Sequence, residues 1–362
     1  MKVLFCGDMS PTSDNNHLFA QGETDTLFND VKDLFQAADY GFVNLECALT
    51  EVPDPIQKIG PSIAAAPQTA QVLKQLGATH CGLSNNHIYD RGKPGVLDTF
   101  AALDAAGLGY TGFGENEEDA KKDLVLKKGN TTLCVIAVCE HEYNYALENR
   151  MGCRAFDPFE TPLQVRAAKE KYDHVVVLYH GGKEQCQYPS PRLLKACRAM
   201  AKSGAELILC RHSHCIGCYE IYADCHIVYG QGNFHFVKEK YRNDPKWHQG
   251  LTVMYDTKDH SISFVPVVAT DVGIRQATEE EGTAIMAAFA QRSESLQDGT
   301  WKDGWHQFCV DHAENYLKTI GKAYSAEGTE YSKEKFAHYL DCEAHTDVWR
   351  ELCQTHNRTA DQ

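Results

Sequence analysis

Six side chains able to ligate metal stand where apolar runs end: Asp8 after VLFCG, Glu46 after FVNL, Asn86 after CGLSN, His180 after VVVLY, and His212 and His214 in LILCRHSH. Two carboxylates, an amide and three imidazoles make a mixed N/O donor set. Such a set suits Zn, Mn or Fe better than a thiolate cage or an all-oxygen calcium site would. One catalytic zinc takes three protein ligands and a water, so six donors are enough for two ions sharing a bridging carboxylate. Two such ions, roughly 3.5 to 4 Å apart, can hold a hydroxide nucleophile and clamp the attacking and leaving oxygens of a displacement.

The elements that must position these donors read as an α/β layered sheet, apolar strand-length runs alternating with helical patterns. In such a sheet, sites form outside the carboxyl ends of the strands. Helices are predicted over residues 26–41, 67–77, 91–107, 162–172 and 191–204, and a hairpin is predicted to turn at Gly129 and Asn130. CHIVYGQGNFHF, LTVMYDT and SISFVPVVAT read as consecutive antiparallel strands. From about residue 276 the pattern is helical. The expected division is therefore a catalytic-type domain over 1–275 and a helical C-terminal extension over 276–362.

At 362 residues and 43% apolar content the chain can bury a full core. A net charge of −15 argues against nucleic acid and against an anionic membrane surface as partners. No apolar run approaches the roughly 18 residues of a membrane span, and the strand-like start MKVLFCGD leaves no room for an export signal. The chain reads as cytoplasmic. Its fifteen cysteines, an odd number, then read as reduced thiols serving mostly as small core residues. Cys215 and Cys218 have CxxC spacing but lack the second pair that would make a zinc site specific, so packing is the expected role.

The ordered segments CGDMS, FVNLECALT, GLSNNHIYDRGKPGVLDTFAAL, VVVLYHGGKEQ, RHSHCIGCYEIY and VYGQGNFHF resemble the CapA family of poly-γ-glutamate capsule-synthesis proteins over about residues 2 to 270. That family is related to the calcineurin-like metallophosphoesterases. The resemblance implies a metallophosphatase-like four-layer α/β/β/α sandwich with its site at one edge of the two sheets. It further implies Asp8 and His214 on one metal, Asn86, His180 and His212 on the other, and Glu46 between them. His87 takes the place of the histidine that protonates the leaving group. Asp90, three residues on, is expected to orient its ring and raise its pKa so that it carries a proton near neutral pH.

Three positions depart from the phosphoesterase pattern: Met9 and Ser10 where a histidine is usual, Glu46 for aspartate, and Arg211 for a glycine. Arg211 either points away or adds a fixed cation beside the metals. With Lys183, Glu184, Glu140 and His141 it forms the set expected to contact substrate. The expected activity is hydrolysis of a phosphoester or of an amide of γ-glutamyl type, on an anionic small molecule or polymer. Two other readings fit the same residues. One is a metal-independent acid/base epimerase or lyase using His87, His180 and Asp8 or Glu46; the other is a non-catalytic component of capsule polymer synthesis.

Overall fold

The computed structural model describes residues 1–140 and 142–353. Its larger strands, in chain order, are β1 (Lys2–Met9), β2 (Tyr40–Leu45), β3 (His80–Gly82), β4 (Gly109–Thr111), β5 (Leu124–Lys128), β6 (Thr131–Cys139), β7 (His174–His180), β8 (Leu207–Arg211), β9 (Tyr219–Tyr222), β10 (Cys225–Val228), β11 (Asn233–His235), β12 (Gln249–Asp256), β13 (Ser261–Ala269) and β14 (Ile274–Gln276). The longer helices are α1 (Thr69–Leu76), α2 (Gly92–Ala106), α3 (Glu160–Lys171), α4 (Pro191–Lys202), α5 (Glu279–Asp298), α6 (Trp301–Tyr324), α7 (Glu330–Asp341) and α8 (Glu343–Leu352).

Two sheets result. The first runs β14-β13-β12-β1-β2-β3-β4 with β11 also pairing β1, and the second runs β9-β10-β8-β7-β6-β5. Strands β1 to β4 are mutually parallel, as are β6, β7, β8 and β10. Strands β12 to β14 extend the first sheet in antiparallel fashion.

Side-chain alternation stacks the layers. On β1, Val3 and Phe5 join Phe42 of β2 and Val176, Leu178, Leu207 and Leu209 of β7 and β8 in a cluster between the sheets. The opposite set, Leu4, Cys6, Val43 and Leu45, packs under Val72, Leu73, Val96 and Leu103 of α1 and α2. Val175, Val177 and Tyr179 face outward from the second sheet with Ile208, against Val165, Leu193 and Cys197 of α3 and α4. The order is helices, sheet, sheet, helices, which is the expected four-layer α/β/β/α arrangement.

Two local features differ from the sequence reading. The 26–41 segment is not one helix: short helices at Thr24–Phe28 and Lys32–Gln36 flank a turn in which Asn29 has φ +44 and donates from Nδ2 to the Ile274 carbonyl. CHIVYGQGNFHF is not one strand either, because β10 belongs to the second sheet and β11 to the first. The chain crosses between them through Gly232, whose φ is +70 and where a Cβ would stand 2.5 Å from the Gln249 carbonyl. The C-terminal segment is helical as expected, and Trp301, Trp305 and Cys309 of α6 and Val348 of α8 share the cluster of α3 and α4. Among the described residues no helix is long and apolar enough to cross a membrane.

Candidate metal centre

The parallel strands of both sheets end at one edge, and alternation aims their last residues at each other. On β2, Phe42, Asn44 and Glu46 share the face between the sheets, as do Val176, Leu178 and His180 on β7 and Leu207, Leu209 and Arg211 on β8. Strand β1 needs a correction to take part. Phe5 pairs with Phe42 but Asp8 with Asn44, so three steps on β1 match two on β2. This one-residue bulge restores Asp8 to the inner face. Gly7 permits it, since a Cβ there would collide with the Gly232 carbonyl oxygen.

Asp8, Glu46, His180, His212 and His214 are all buried. Their donor atoms gather into two groups that share Glu46: Asp8, Glu46 and His180, and Glu46, His212 and His214. His180 Nδ1 lies 3.8 Å from Asp8 and its Nε2 3.6 Å from Glu46, while His214 Nδ1 and Nε2 lie 3.7 and 3.9 Å from the same two carboxylates. Asn86 Oδ1 stands 2.8 Å from His180 Nε2. Glu46 is common to both groups, and Asp8 lies near His180 and His214 alike.

Polar neighbours hold the donors. Asn44 donates to Asp8 Oδ1 at 2.8 Å and lies 3.3 Å from His180 Nδ1. The His212 N–H donates to Asp8 Oδ2 at 2.8 Å. Asn233 Oδ1 meets His214 Nδ1 at 2.8 Å while its amide donates to the Trp247 carbonyl. His212 and His214 both have left-handed backbones, φ +82 and +53, a strain typical of functional sites. Asn44 was legible as the residue two before Glu46 on the same face; Asn233 stands in the GNF segment but offered no spacing signal of its own.

The residues present fit divalent cations. Glu46 is fully buried, yet neither of its carboxylate oxygens has a hydrogen-bond partner among the described residues. Buried acceptors are ordinarily satisfied, and a carboxylate facing Asp8 and imidazole nitrogens needs a positive charge. Burial, then the charges of Asp8 and Glu184, push its pKa well above the usual range. Burial likewise raises Asp8, opposed by His214 and the His212 N–H.

Beside this cluster, His87 Nδ1 bonds Asp90 Oδ2 at 2.6 Å, and Lys58 Nζ reaches Asp90 Oδ1 at 2.5 Å and the Asn86 carbonyl at 2.8 Å. Asp90 orients the ring as expected, but the expected rise in pKa is reversed. Burial, then the Lys58 charge, outweigh Asp90 and hold His87 down to about 4. Sequence reasoning missed Lys58, which stands in the irregular stretch between β2 and α1, where no periodicity points to this contact.

The substrate set divides. Lys183 and Glu184 line a cavity of about 250 Å³ that opens onto Asn86, His87 and His212. Arg211 does not: it is buried between the sheets on the Leu207 and Leu209 face, donates from Nε to Gln231, and feels the charge of Asp8. Glu140 is also no cavity residue. It is buried, bonded by the Tyr179 hydroxyl, paired with Arg192 at 2.5 Å, and accepts the Gly182 N–H at 2.8 Å. His141 lies outside the described residues. Cys215 and Cys218 are buried free thiols, both pushed up to about 12 by burial, and no cysteine joins a metal-ligand group among the described residues.

The capsule biosynthesis protein CapA of Bacillus anthracis is 29% identical over 261 residues, 69% of this chain and 62% of that protein, so the chain spans under two thirds of its length. The PGA biosynthesis protein CapA of Bacillus subtilis (strain 168) is 27% identical over 326 residues, 87% of this chain and 83% of that one. Among solved structures, a hypothetical protein from Thermus thermophilus is similar over 77% of this chain and 100% of its own, at 15% identity and a TM-score of 0.46. The family model of the bacterial capsule synthesis protein PGA_cap matches residues 2–238, well over half of the chain, and this protein belongs to that family.

Proposed function

We propose that this protein is a metal-dependent hydrolase of polyglutamate metabolism, cleaving an amide of γ-glutamyl type. The observation that carries the reading is the pair of donor groups sharing Glu46, a buried carboxylate with both oxygens unbonded, beside a cavity edged with lysines. Divalent ions held by Asp8, Glu46, Asn86, His180, His212 and His214 would polarise the scissile carbonyl and lower the pKa of water there.

The chain's own residues do the rest. Asn44 and Asn233 orient Asp8, His180 and His214, the outer support that tunes a metal site. Asp90, an acceptor only, keeps a proton on His87 Nδ1, so Nε2 is the atom that exchanges one. The ring rests neutral, so Nε2 would first take up the proton that the attacking water loses on bonding to the carbonyl carbon, and pass it to the nitrogen as the C–N bond breaks. Lys58 holds Asp90 charged and presents a cation at the cavity wall.

The test is elemental analysis of purified protein, then turnover of γ-glutamyl oligomers and a phosphoester panel before chelation, after it, and after reloading. Glutamate release that disappears on chelation and returns with Mn²⁺ or Zn²⁺ is expected. Turnover surviving chelation with under about a tenth of an equivalent of metal would transfer the site to metal-independent acid/base chemistry. Preference for phosphoesters would reassign the electrophile.

A further inference from the structure

The cavity above the ligand cluster has two unlike walls. One comes from the sandwich and carries Lys58 and Lys183. The other comes from the C-terminal helices, where Lys335, His338 and Tyr339 of α7 and His345 of α8 face the same space. This second wall lies beyond residue 238, where the family match ends. The cavity's charge is opposite to that of the chain: the molecule carries −15, whereas the cavity is lined by three lysines and one carboxylate, Glu184. Lys183 and Lys335 line the cavity without a salt bridge among the described residues, and the Lys335 ammonium stands 5.6 Å from the centre of the Tyr339 ring on the same wall.

The second wall is fastened to the first by buried charge. Asp347 of α8 is buried, accepts from Ser190 Oγ at 2.6 Å and pairs with Arg192 at 2.9 Å. Arg192 pairs with Glu140, and Glu140 accepts the Gly182 N–H, one residue before Lys183. The helices that carry Lys335 and the loop that carries Lys183 are therefore held to one frame, which fixes the distance between their cations. Losing either partner of such a buried pair is costly.

We infer that the C-terminal helices are the specificity wall of the site: Lys335 acts with Lys183 on an anionic group of the substrate while the bond to be cleaved lies over the Glu46 cluster. This rests on the proposed hydrolase reading for the identity of the reaction, but not for the binding. A lysine pair presented to a carboxylate in a partly enclosed space acts as two point charges. The substrate class is accordingly a carboxylate-bearing oligomer, such as a γ-glutamyl chain, rather than a neutral peptide.

The experiment compares the full-length protein with Lys335→Glu, Lys335→Gln and, as a control on the same helix outside the cavity, Lys333→Glu. Penta-γ-glutamate is the probe in two measurements, steady-state turnover and equilibrium binding by calorimetry at two salt concentrations. For Lys335→Glu the expected result is a rise in KM and Kd of about tenfold or more, about 1.4 kcal/mol, with kcat within about twofold. The Gln variant should fall between, and Lys333→Glu should match the native protein. A side-chain-amidated oligomer should bind all four proteins alike. Equal Kd for native and Lys335→Glu, with both folded by circular dichroism, overturns the inference. Absence of turnover with binding still lost in Lys335→Glu would instead remove the hydrolase reading and leave the wall in place.

Discussion

Replacing Glu46 by glutamine separates a metal ligand from a structural carboxylate, because loss of a ligand shows only when metal is present whereas loss of a structural carboxylate shows without it. Glu46 has no hydrogen bond to another described residue to lose. His180 Nε2 lies 3.6 Å and His214 Nε2 3.9 Å from it. Burial, then Asp8 and Glu184, push its pKa well up, which favours the protonated acid. Glutamine has nearly the same shape and no charge, so the exchange of one unsatisfied polar group for another should cost at most about 1 kcal/mol. With metal at a hundred times Kd, by contrast, the native protein gains about 2.7 kcal/mol per site, and the variant lacks the carboxylate common to both donor groups. Differential scanning calorimetry after chelation, then with Mn²⁺ or Zn²⁺, and elemental analysis of the same samples read both effects. Chelated melting temperatures should agree within about 3 °C, and reloading should raise only the native protein, by about 5 °C or more. A variant that loads metal normally, or that melts more than about 10 °C lower when chelated, would refute the assignment and make Glu46 structural.

Three further outcomes are expected. His87→Ala should lower kcat by roughly 10²- to 10⁴-fold while metal content holds, since its ring bonds Asp90 rather than joining a donor group; loss of the ions along with the activity would place His87 among the ligands. Gly7→Ala should destabilise by roughly 1–3 kcal/mol in urea unfolding and weaken metal binding, because a Cβ there meets the Gly232 carbonyl and the bulge that aims Asp8 must shift; a native-like midpoint and affinity would show the bulge to be dispensable. Acid should destabilise the fold in two steps. His80, held at about 4 by burial and then Lys74, has a folded pKa below its unfolded 6.5, so its contribution is complete above about 6.5 and is lost down to about 4. Glu206 is held at about 2 because bonds from His174, Lys169 and Tyr255 overcome its burial, so its contribution is present above about 4.5 and fades towards 2. Urea midpoints from pH 7 to 3 should show a smaller upper step in His80→Gln, to which His87 and His235 still contribute, and a smaller lower step in Glu206→Gln, to which Glu281 still contributes; an unchanged upper limb in the first variant would rule out His80 as a source.

The legible part of this fold was the part written in period two. FVNLE, VVVLYH and LILCRH read as apolar runs of strand length, and in a strand the face that carries Phe42, Leu178 or Leu209 into the core also carries Glu46, His180 or Arg211 to the edge of the sandwich. The same rule settles Arg211: as the next inward residue after Leu209 it falls between the sheets, not in the cavity. Alternation could not place Asp8, because the β1 bulge breaks it; by unbroken alternation from Val3 and Phe5, Asp8 would point to the helix side. Nor could it show that CHIVYGQGNFHF changes sheets, since both halves are apolar enough for either.

What the sequence hid most completely is the roof. KEKFAHYLDCEAHTDVWRELC reads as an amphipathic helical stretch, and nothing local distinguishes Lys335 from Lys333 or Asp347 from any other solvated acid. Their difference is tertiary. Asp347 is buried only because α8 lands on Arg192 at the start of α4, and Arg192 is turned inward only because Glu140 waits at the end of β6. Each of these charges would be costly alone in the interior, and each is tolerated because the next one compensates it. A relay of that kind is decided by which elements meet, information that single-residue patterns do not carry. Its structural consequence is that the helices beyond the sandwich cannot be lifted from the cavity without taking Asp347 from Arg192 and Ser190, so loss of the roof should loosen the frame that holds the loop of Lys183.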